Sequence, residues 1–332
     1  MDTLKIATFN INGIRSRLPA LLAWLERESP DVACLQELKA AQGEFPIRDI
    51  QAAGYGAIWH GQKSWNGVAI LAKGMDPIET RRGLPGFEDD THSRYLEAAV
   101  HGVLVGCLYL PNGNPQPGPK FDYKLKWFDI FNTYAASLLK TGHPVVLAGD
   151  YNVVPTDEDI YNPRSWLKDA LLQPESREAY RQLLAQGWTD ALRARYPEER
   201  IYTFWDYFRQ HWEKNSGLRI DHLLLSKALA PRLVDAGVDR WVRGEAHASD
   251  HAPTWIVLNV GEGKAPAKKA AAKKAAIKKA PVKQAAAKKA AAKAPAKKAA
   301  KTAAPAKKAA AKQAAATPAP TKTRRARVKP EA

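Results

Sequence analysis

The chain has 332 residues, enough for one large domain or two ordinary ones. Its formal net charge is +17, yet 22 of its 51 Lys and Arg and only 2 of its 34 Asp and Glu fall within 261–332. The other 29 basic and 32 acidic residues put residues 1–260 near −3, which excludes a uniformly basic folded protein and implies a separate basic segment.

Residues 3–9 alternate and are rich in β-formers, which predicts a first strand. Leu18–Ser29 has helical spacing with Pro19 near its start, and Asp31–Glu37 is a short apolar run that ends in polar residues. Strands are predicted at Gly67–Ala72, Tyr95–Val100, Val103–Leu110 and Val145–Ala148, and helices at 121–140 and 176–186. Arg219–Ser226 and Thr254–Val260 close the series as strands. Many of these strands are apolar along their whole length, as in a sheet covered on both faces. With helices interspersed throughout, the expected fold is α/β: a four-layered sandwich of two packed sheets with helices outside.

The pattern stops after Val260. Residues 261–332 are almost wholly Ala, Lys and Pro, in units such as Pro-Ala-Lys-Lys-Ala-Ala at 295–300 and 305–310. Such a composition buries too little apolar surface to offset its ordering entropy, so a catalytic domain over 1–260 and a disordered basic tail over 261–332 are expected. Cys34 and Cys107 lie in apolar runs and read as buried free thiols in a reducing compartment. No apolar run is long enough to cross a bilayer and no leader pattern precedes the first strand, so a soluble cytoplasmic protein is expected.

Polar clusters punctuate the strand ends: Asn10, Glu37, Tyr109 with Asn112, Asp150 with Asn152, and Asp250-His251 just before the last strand. Five such clusters on a rigid scaffold point to one convergent site. Glu37 and Asn10 offer the hard oxygen ligands that magnesium takes from protein, although a lone carboxylate there also reads as a solvated group. Asp150 and Asn152, two apart on an expected extended segment, would point the same way, one a carboxylate and the other an amide donor. An Asx-turn explains the same pair. Asp221, inside an apolar strand, needs a partner, and the ring of His251 is the obvious one. A purely structural hydrogen bond is the alternative.

Seven segments occur in a fixed order. They are Phe9-Asn10-Ile11-Asn12-Gly13-Ile14-Arg15, Leu35-Gln36-Glu37, Tyr109-Leu110-Pro111-Asn112-Gly113, Gly149-Asp150-Tyr151-Asn152, Thr203-Phe204-Trp205-Asp206-Tyr207, Arg219-Ile220-Asp221 and Ser249-Asp250-His251-Ala252-Pro253. Together they resemble the motif set of the exonuclease III family, bacterial class II apurinic/apyrimidinic endonucleases within the endonuclease/exonuclease/phosphatase superfamily. The resemblance covers residues 1 to about 260.

The resemblance implies a Mg²⁺-dependent (Mn²⁺ as a substitute) repair phosphodiesterase. It would cut duplex DNA 5′ to abasic sites and act as a 3′–5′ exonuclease and 3′-phosphatase. It implies that Asp150 activates water, that Asn152 donates to a phosphoryl oxygen, and that His251, held by Asp221, stabilises the transition state or serves as acid–base partner. Which of Asp150 and His251 is the base stays open. Tyr109 and Asn112 would touch the scissile phosphate. The metal would sit on Asn10 and Glu37 with Asp250 as a further ligand, and Asp150, Asn152 and His251 stand close enough in this scheme to count in the same set. Arg94 and Lys124 are candidate DNA phosphate clamps or merely solvated charges. Trp205 and Tyr207 are candidates for stacking on the sugar, or, for Trp205, a place in the core. Two segments depart from the family pattern: Gly244–Ala248, where a Trp-Glu-Lys-Pro-like stretch is expected, and Leu218, where human-type relatives carry an aromatic lining the abasic pocket.

The tail resembles those of linker histones. Lys-rich sequence without aromatics suits phosphate contact rather than base readout, so a non-specific DNA anchor, nucleoid-associated, is expected beside the plainer reading of a solubilising extension. A monomer acting on double-stranded DNA is the expected assembly. The competing reading is a phosphoinositide or sphingolipid phosphodiesterase of the same superfamily whose tail binds anionic membranes. Trp205-Asp206-Tyr207 and the DNA-type tail argue against it.

Overall fold

The computed structural model describes residues 3–261. The expected disordered tail lies, apart from Gly261, outside the described residues.

Twelve strands form two six-stranded sheets. The first sheet holds β1 (Thr3–Asn10), β2 (Val32–Gln36), β3 (Tyr55–His60), β4 (Val68–Lys73), β11 (Leu233–Val238) and β12 (Thr254–Asn259), in the order β11-β12-β1-β2-β4-β3. The second holds β5 (Ile78–Arg82), β6 (Tyr95–Val100), β7 (Val103–Tyr109), β8 (Val145–Asp150), β9 (Thr189–Asp190) and β10 (Asp221–Leu225), in the order β5-β6-β7-β8-β10-β9. Both sheets share one pairing pattern. Each has a single parallel pair at its centre, β1–β2 in one and β7–β8 in the other, and every other pairing is antiparallel.

The composition of the strands explains their place. β2 (Val-Ala-Cys-Leu-Gln) and β8 (Val-Val-Leu-Ala-Gly-Asp) are buried at every residue, as central strands covered on both faces must be. The inner layer packs Ile6, Cys34 and Ile70 of one sheet against Val105, Cys107, Val146 and Leu223 of the other. Both cysteines are free and buried. Outside the first sheet lie α1 (Leu18–Glu28) and α2 (Ile47–Ala52), with Leu21, Trp24, Leu25 and Ile50 packed against Phe9, Leu35 and Leu71. Outside the second lie α3 (Pro119–Lys140) and α4 (Pro174–Ala185), where Trp127, Phe128, Phe131 and Leu183 cover Leu108 and Leu147. A short α5 (Ala191–Arg195) follows β9. This is the four-layered α/β sandwich expected from the sequence.

Differences are local. β5 (Ile-Glu-Thr-Arg-Arg) is exposed throughout and carries the charges that protect an edge strand, so it has no apolar signature. The strand expected from Arg219 begins at Asp221, because the Arg219 side chain is drawn into a buried ion network. The segment carrying Asp150 and Asn152 is not extended beyond Asp150: Asn152 adopts φ 47°, a left-handed turn. Among the described residues no helix is long and apolar enough to cross a membrane.

Candidate active site

The two central parallel pairs end side by side and deliver the polar clusters to one cleft. β1 ends on Asn10, β2 is followed by Glu37, β7 ends on Tyr109 and β8 on Asp150. The loop before β12 adds Asp250 and His251, and β10 begins with Asp221. The cleft, about 210 Å³, is lined among others by Glu37, Tyr109, Asn112, Asp150, Asn152, Asp250 and His251. A wider groove of about 750 Å³ shares Glu37, Tyr109 and Asn112 with it and adds Trp65, His92, Arg94 and Lys120.

Hydrogen bonds knit the cleft together. Asn10 Nδ2 donates to Glu37 Oε1 at 3.0 Å and to Asp150 Oδ2 at 2.9 Å, one amide between two carboxylates from different sheets. Tyr109 OH donates to Glu37 Oε1 at 2.7 Å, and Lys39 Nζ sits 2.8 Å from Glu37 Oε2. Burial alone would raise the Glu37 carboxyl, but Lys39 and the bonds from Asn10 and Tyr109 hold it below its usual range. Asn152 N donates to Asp150 Oδ1 at 2.9 Å, which is an Asx-turn. The local turn and the convergence on the cleft thus coexist, since Asn152 Oδ1 also accepts from Asn112 Nδ2 at 3.1 Å.

His251 Nδ1 meets Asp221 Oδ2 at 2.8 Å, with both residues buried, so the pair expected from the sequence is formed. Burial opposes the charged ring, yet Asp221, with Asp150 and Asp250 behind it, raises His251 to about 10. His251 Nε2 faces Asp150 Oδ2 at 3.8 Å. Burial, reinforced by the charge of Asp221 and opposed by that of His251, pushes Asp150 up to about 7. Potential ligand atoms of Asp150, Asp221 and His251 lie within 4.8 Å of one another, so the cleft is also an acidic site able to hold a metal.

The residues flanking Asp221 are anchored beneath the cleft. Arg219, fully buried, donates from Nε to Asp159 Oδ1 and from Nη1 to Asp190 Oδ2, each at 2.7 Å. Arg193 adds a second bond to Asp159 at 2.6 Å. His222 bonds through Nε2 to Val153 O at 3.1 Å, and burial lowers its pKa to about 4, which leaves it neutral.

Two expected DNA contacts are corrected. Lys124 is fully buried in α3 and points its ammonium into the protein, at the carbonyls of Pro111, Asn112 and Asn152, so it is no surface clamp. Trp205 is likewise fully buried, its ring edge-on to Trp212 at 5.0 Å and its Nε1 bonded to Asn215, so it cannot stack on a sugar. Tyr207 is exposed at the cleft rim, where its hydroxyl donates to Ala248 O and accepts from Arg17. Arg94 lies in the groove and donates to Tyr109 O at 3.2 Å, its guanidinium 4.9 Å from the Tyr109 ring. The sequence candidates leave out Trp166, Asp169 and Leu171, which line the cleft, Phe204, whose ring stands edge-on to His251 at 5.0 Å, and two residues beside the cleft, Lys39 and Asn12, the latter donating to Asp250 Oδ1 at 2.9 Å. The Asn-x-Asn spacing of Asn10 and Asn12, like the spacing of Asp150 and Asn152, was the available signal.

A two-sheet α/β sandwich with carboxylates, amides and a carboxylate-held histidine where its parallel strand pairs end is the architecture of a phosphate-ester hydrolase. Residues 7–251 match the endonuclease/exonuclease/phosphatase family, and the chain belongs to it. Exodeoxyribonuclease III of Haemophilus influenzae is 36% identical over 264 residues, covering 76% of this chain and 98% of that protein. DNA repair nuclease APEX1 of Danio rerio is 34% identical over 263 residues, 77% and 83% of the two chains. Among solved structures, a 3′ phosphatase from Neisseria bound to a product DNA hairpin superposes with a TM-score of 0.75 at 38% identity, covering 77% of this chain and 99% of the other. An AP endonuclease from Archaeoglobus fulgidus does so with a TM-score of 0.75 at 36% identity, covering 77% and 100%.

Proposed function

We infer that the protein is a DNA-repair phosphodiesterase of the exodeoxyribonuclease III and AP endonuclease type, cleaving duplex DNA 5′ to abasic sites and trimming 3′ ends. The observation that carries this reading is the single amide of Asn10 joining Glu37 and Asp150, which places a carboxylate of each sheet in one cleft beside the Asp221–His251 pair. The named relatives are DNA nucleases, which favours DNA over a phospholipid substrate.

The donor set fits a hard divalent ion. Glu37, Asp150 and Asp250 line the cleft with few cations to balance them, Lys39 and His251 being the near ones. Magnesium, or manganese in its place, would be held by Glu37 and the Asn10 amide oxygen with Asp250 close by. Bound there, it would supply positive charge to the phosphoryl group and to the leaving 3′-oxygen. Asp150, already bonded to the Asn152 amide, takes the role of orienting and deprotonating water. Asn112, and Asn152 once its amide turns from Leu110 O and Asp150, donate to the non-bridging oxygens, and His251 stabilises the charge that gathers on them. Tyr109, which lines the cleft with its hydroxyl on Glu37, takes the role of contacting the phosphate. The tail over 261–332 acts as a sequence-independent anchor on DNA.

The test is cleavage of a duplex with one abasic-site analogue beside an undamaged duplex, with Mg²⁺ and with EDTA. Selective, EDTA-sensitive incision is expected, falling at least ~10³-fold in Asp150→Ala while duplex binding persists. Equal cutting of both duplexes, or a tenth of the wild-type rate in Asp150→Ala, would refute the assignment.

A further inference from the structure

Lys124 is a lysine where a core residue is expected. It sits in the second turn of α3 on the stripe that buries Phe121, Trp127, Phe128 and Phe131, and none of its surface is exposed. Its nitrogen forms no ion pair among the described residues. It meets three carbonyl oxygens instead: Pro111 O and Asn112 O at 3.2 Å each, and Asn152 O at 2.5 Å. Burying an ammonium without a salt bridge is costly: burial lowers Lys124 to about 7 although the charges of Asp150 and Asp169 raise it, and an apolar side chain would fill the same stripe without that cost.

The acceptors identify what the charge secures. Pro111 and Asn112 belong to the loop after β7, and Asn152 to the loop after β8. These loops bring the two amides of the cleft to the same wall, and Asn112 Nδ2 already reaches Asn152 Oδ1 at 3.1 Å. Asn152 adopts left-handed φ, so no strand ladder holds it there. Gly113 has φ 90°, and a Cβ there would come within 2.6 Å of the Lys124 stem, so the loop is wrapped closely over this side chain. Three carbonyl oxygens beside a phosphate site would repel the phosphate if they faced it. The ammonium gathers them inward, while the side-chain amides bond one another and their surroundings, Asn112 Nδ2 to Asn152 Oδ1 and Asn152 Nδ2 to Leu110 O at 2.9 Å and Asp150 Oδ2 at 3.3 Å.

We propose that Lys124 is a positioning residue that locks the Asn112 and Asn152 loops into one wall of the cleft by gathering their carbonyls on its buried ammonium. The proposal rests on the reading of the cleft as the phosphodiesterase site. Lys124 touches no substrate; it acts through Asn112 and Asn152.

Lys124→Met keeps the volume and removes the charge. Single-turnover cleavage of the abasic duplex should slow by ~10²-fold, the scale for misplacing catalytic groups by about an ångström, with the KM for DNA and the magnesium titration shifted less than about twofold. Leu138→Ala, a cavity at the far end of the same helix, should lower Tm comparably and leave the rate within about twofold. In Lys124→Ala, n-propylammonium should restore part of the rate and tetramethylammonium should not. Asn112→Ala and Lys124→Met combined should be no slower than the slower single variant. Hydrogen exchange at 111–114 and 151–154 should quicken in Lys124→Met, a readout that does not need turnover. A rate within twofold of wild type, a loss matched by Leu138→Ala, full additivity with Asn112→Ala, or unchanged exchange in both loops would each overturn the proposal. Wild-type and Asp150→Ala turnover on the same duplex judge the site reading separately.

Discussion

Replacing Asp221 by asparagine tests the energetic core of the site with the smallest possible change of shape. The Asp221 Oδ2 to His251 Nδ1 contact is 2.8 Å, and neither residue has appreciable exposure. Opposite unit charges ~4 Å apart attract by ~4 kcal/mol at an effective dielectric of ~20, which corresponds to ~10³-fold in rate if the imidazolium forms or persists in the transition state. The amide adds a second penalty, because it can present N–H to Nδ1 and so select the wrong tautomer; triads that lose their aspartate in this way fall by ~10⁴-fold. Asp221→Asn should therefore reduce single-turnover cleavage of an abasic duplex by ~10³- to 10⁴-fold at saturating Mg²⁺, with little change in duplex affinity. His251→Ala should be about as severe, and the double variant no worse than either single one. A loss below ~10-fold, or effects of the two substitutions that add in full, would show that the pair is structural and that His251 works without its carboxylate.

Glu37→Gln should raise the Mg²⁺ concentration needed for half-maximal rate and recover partly at high metal, because one anionic ligand becomes neutral; an unchanged magnesium titration would assign Glu37 to structure. The Asp159 carboxyl, which burial alone would raise, is held far below its ordinary range by Arg219 and Arg193. Its stabilising contribution is present above the usual carboxylate pKa of ~4 and lost as pH falls, so Asp159→Asn should cost ~3 kcal/mol at neutral pH and flatten the acid limb of a Tm profile. Parallel profiles for the two proteins would rule the network out as an acid-sensitive element. Deleting 264–332 should leave the rate at saturating abasic DNA unchanged and make log affinity against log salt shallower by ~7 units, if the tail neutralises ~8 phosphates. Identical salt slopes would return the tail to a solubilising role.

The sequence carried the scaffold of the site well because that scaffold is central. Strands buried on both faces, such as Val32–Gln36 and Val145–Asp150, announce themselves as unbroken apolar runs, and each ends on a cleft residue or one step short of it. Peripheral elements were hidden for the opposite reason. Ile78–Arg82 pairs only along one edge and faces solvent, so nothing in its side chains marks a strand. The two misplaced side chains show where residue type misleads. A tryptophan beside catalytic residues reads as a stacking platform, yet Trp205 is folded under its loop. A lysine reads as a solvated charge, yet Phe121, Lys124, Phe128 and Phe131 share the spacing of one buried helix stripe, and the amino-acid sequence alone displays that spacing. The left-handed turn at Asn152 has no sequence signature beyond the residue's tolerance for it.

The strand that follows His251 ties the cleft to a distant part of the chain. β12 pairs in register with β1 from Thr254↔Thr8 to Asn259↔Thr3, so the centre of the first sheet is completed by nearly the last described residues. Asn10 and Glu37 sit at the ends of β1 and β2, which pair with each other, whereas the other side of β1 is covered only by β12, the strand that begins three residues after His251. A chain shortened before His251 would lose both that side chain and the strand that pairs with β1 beside Asn10, so truncation from this side removes a wall of the cleft and a central strand together.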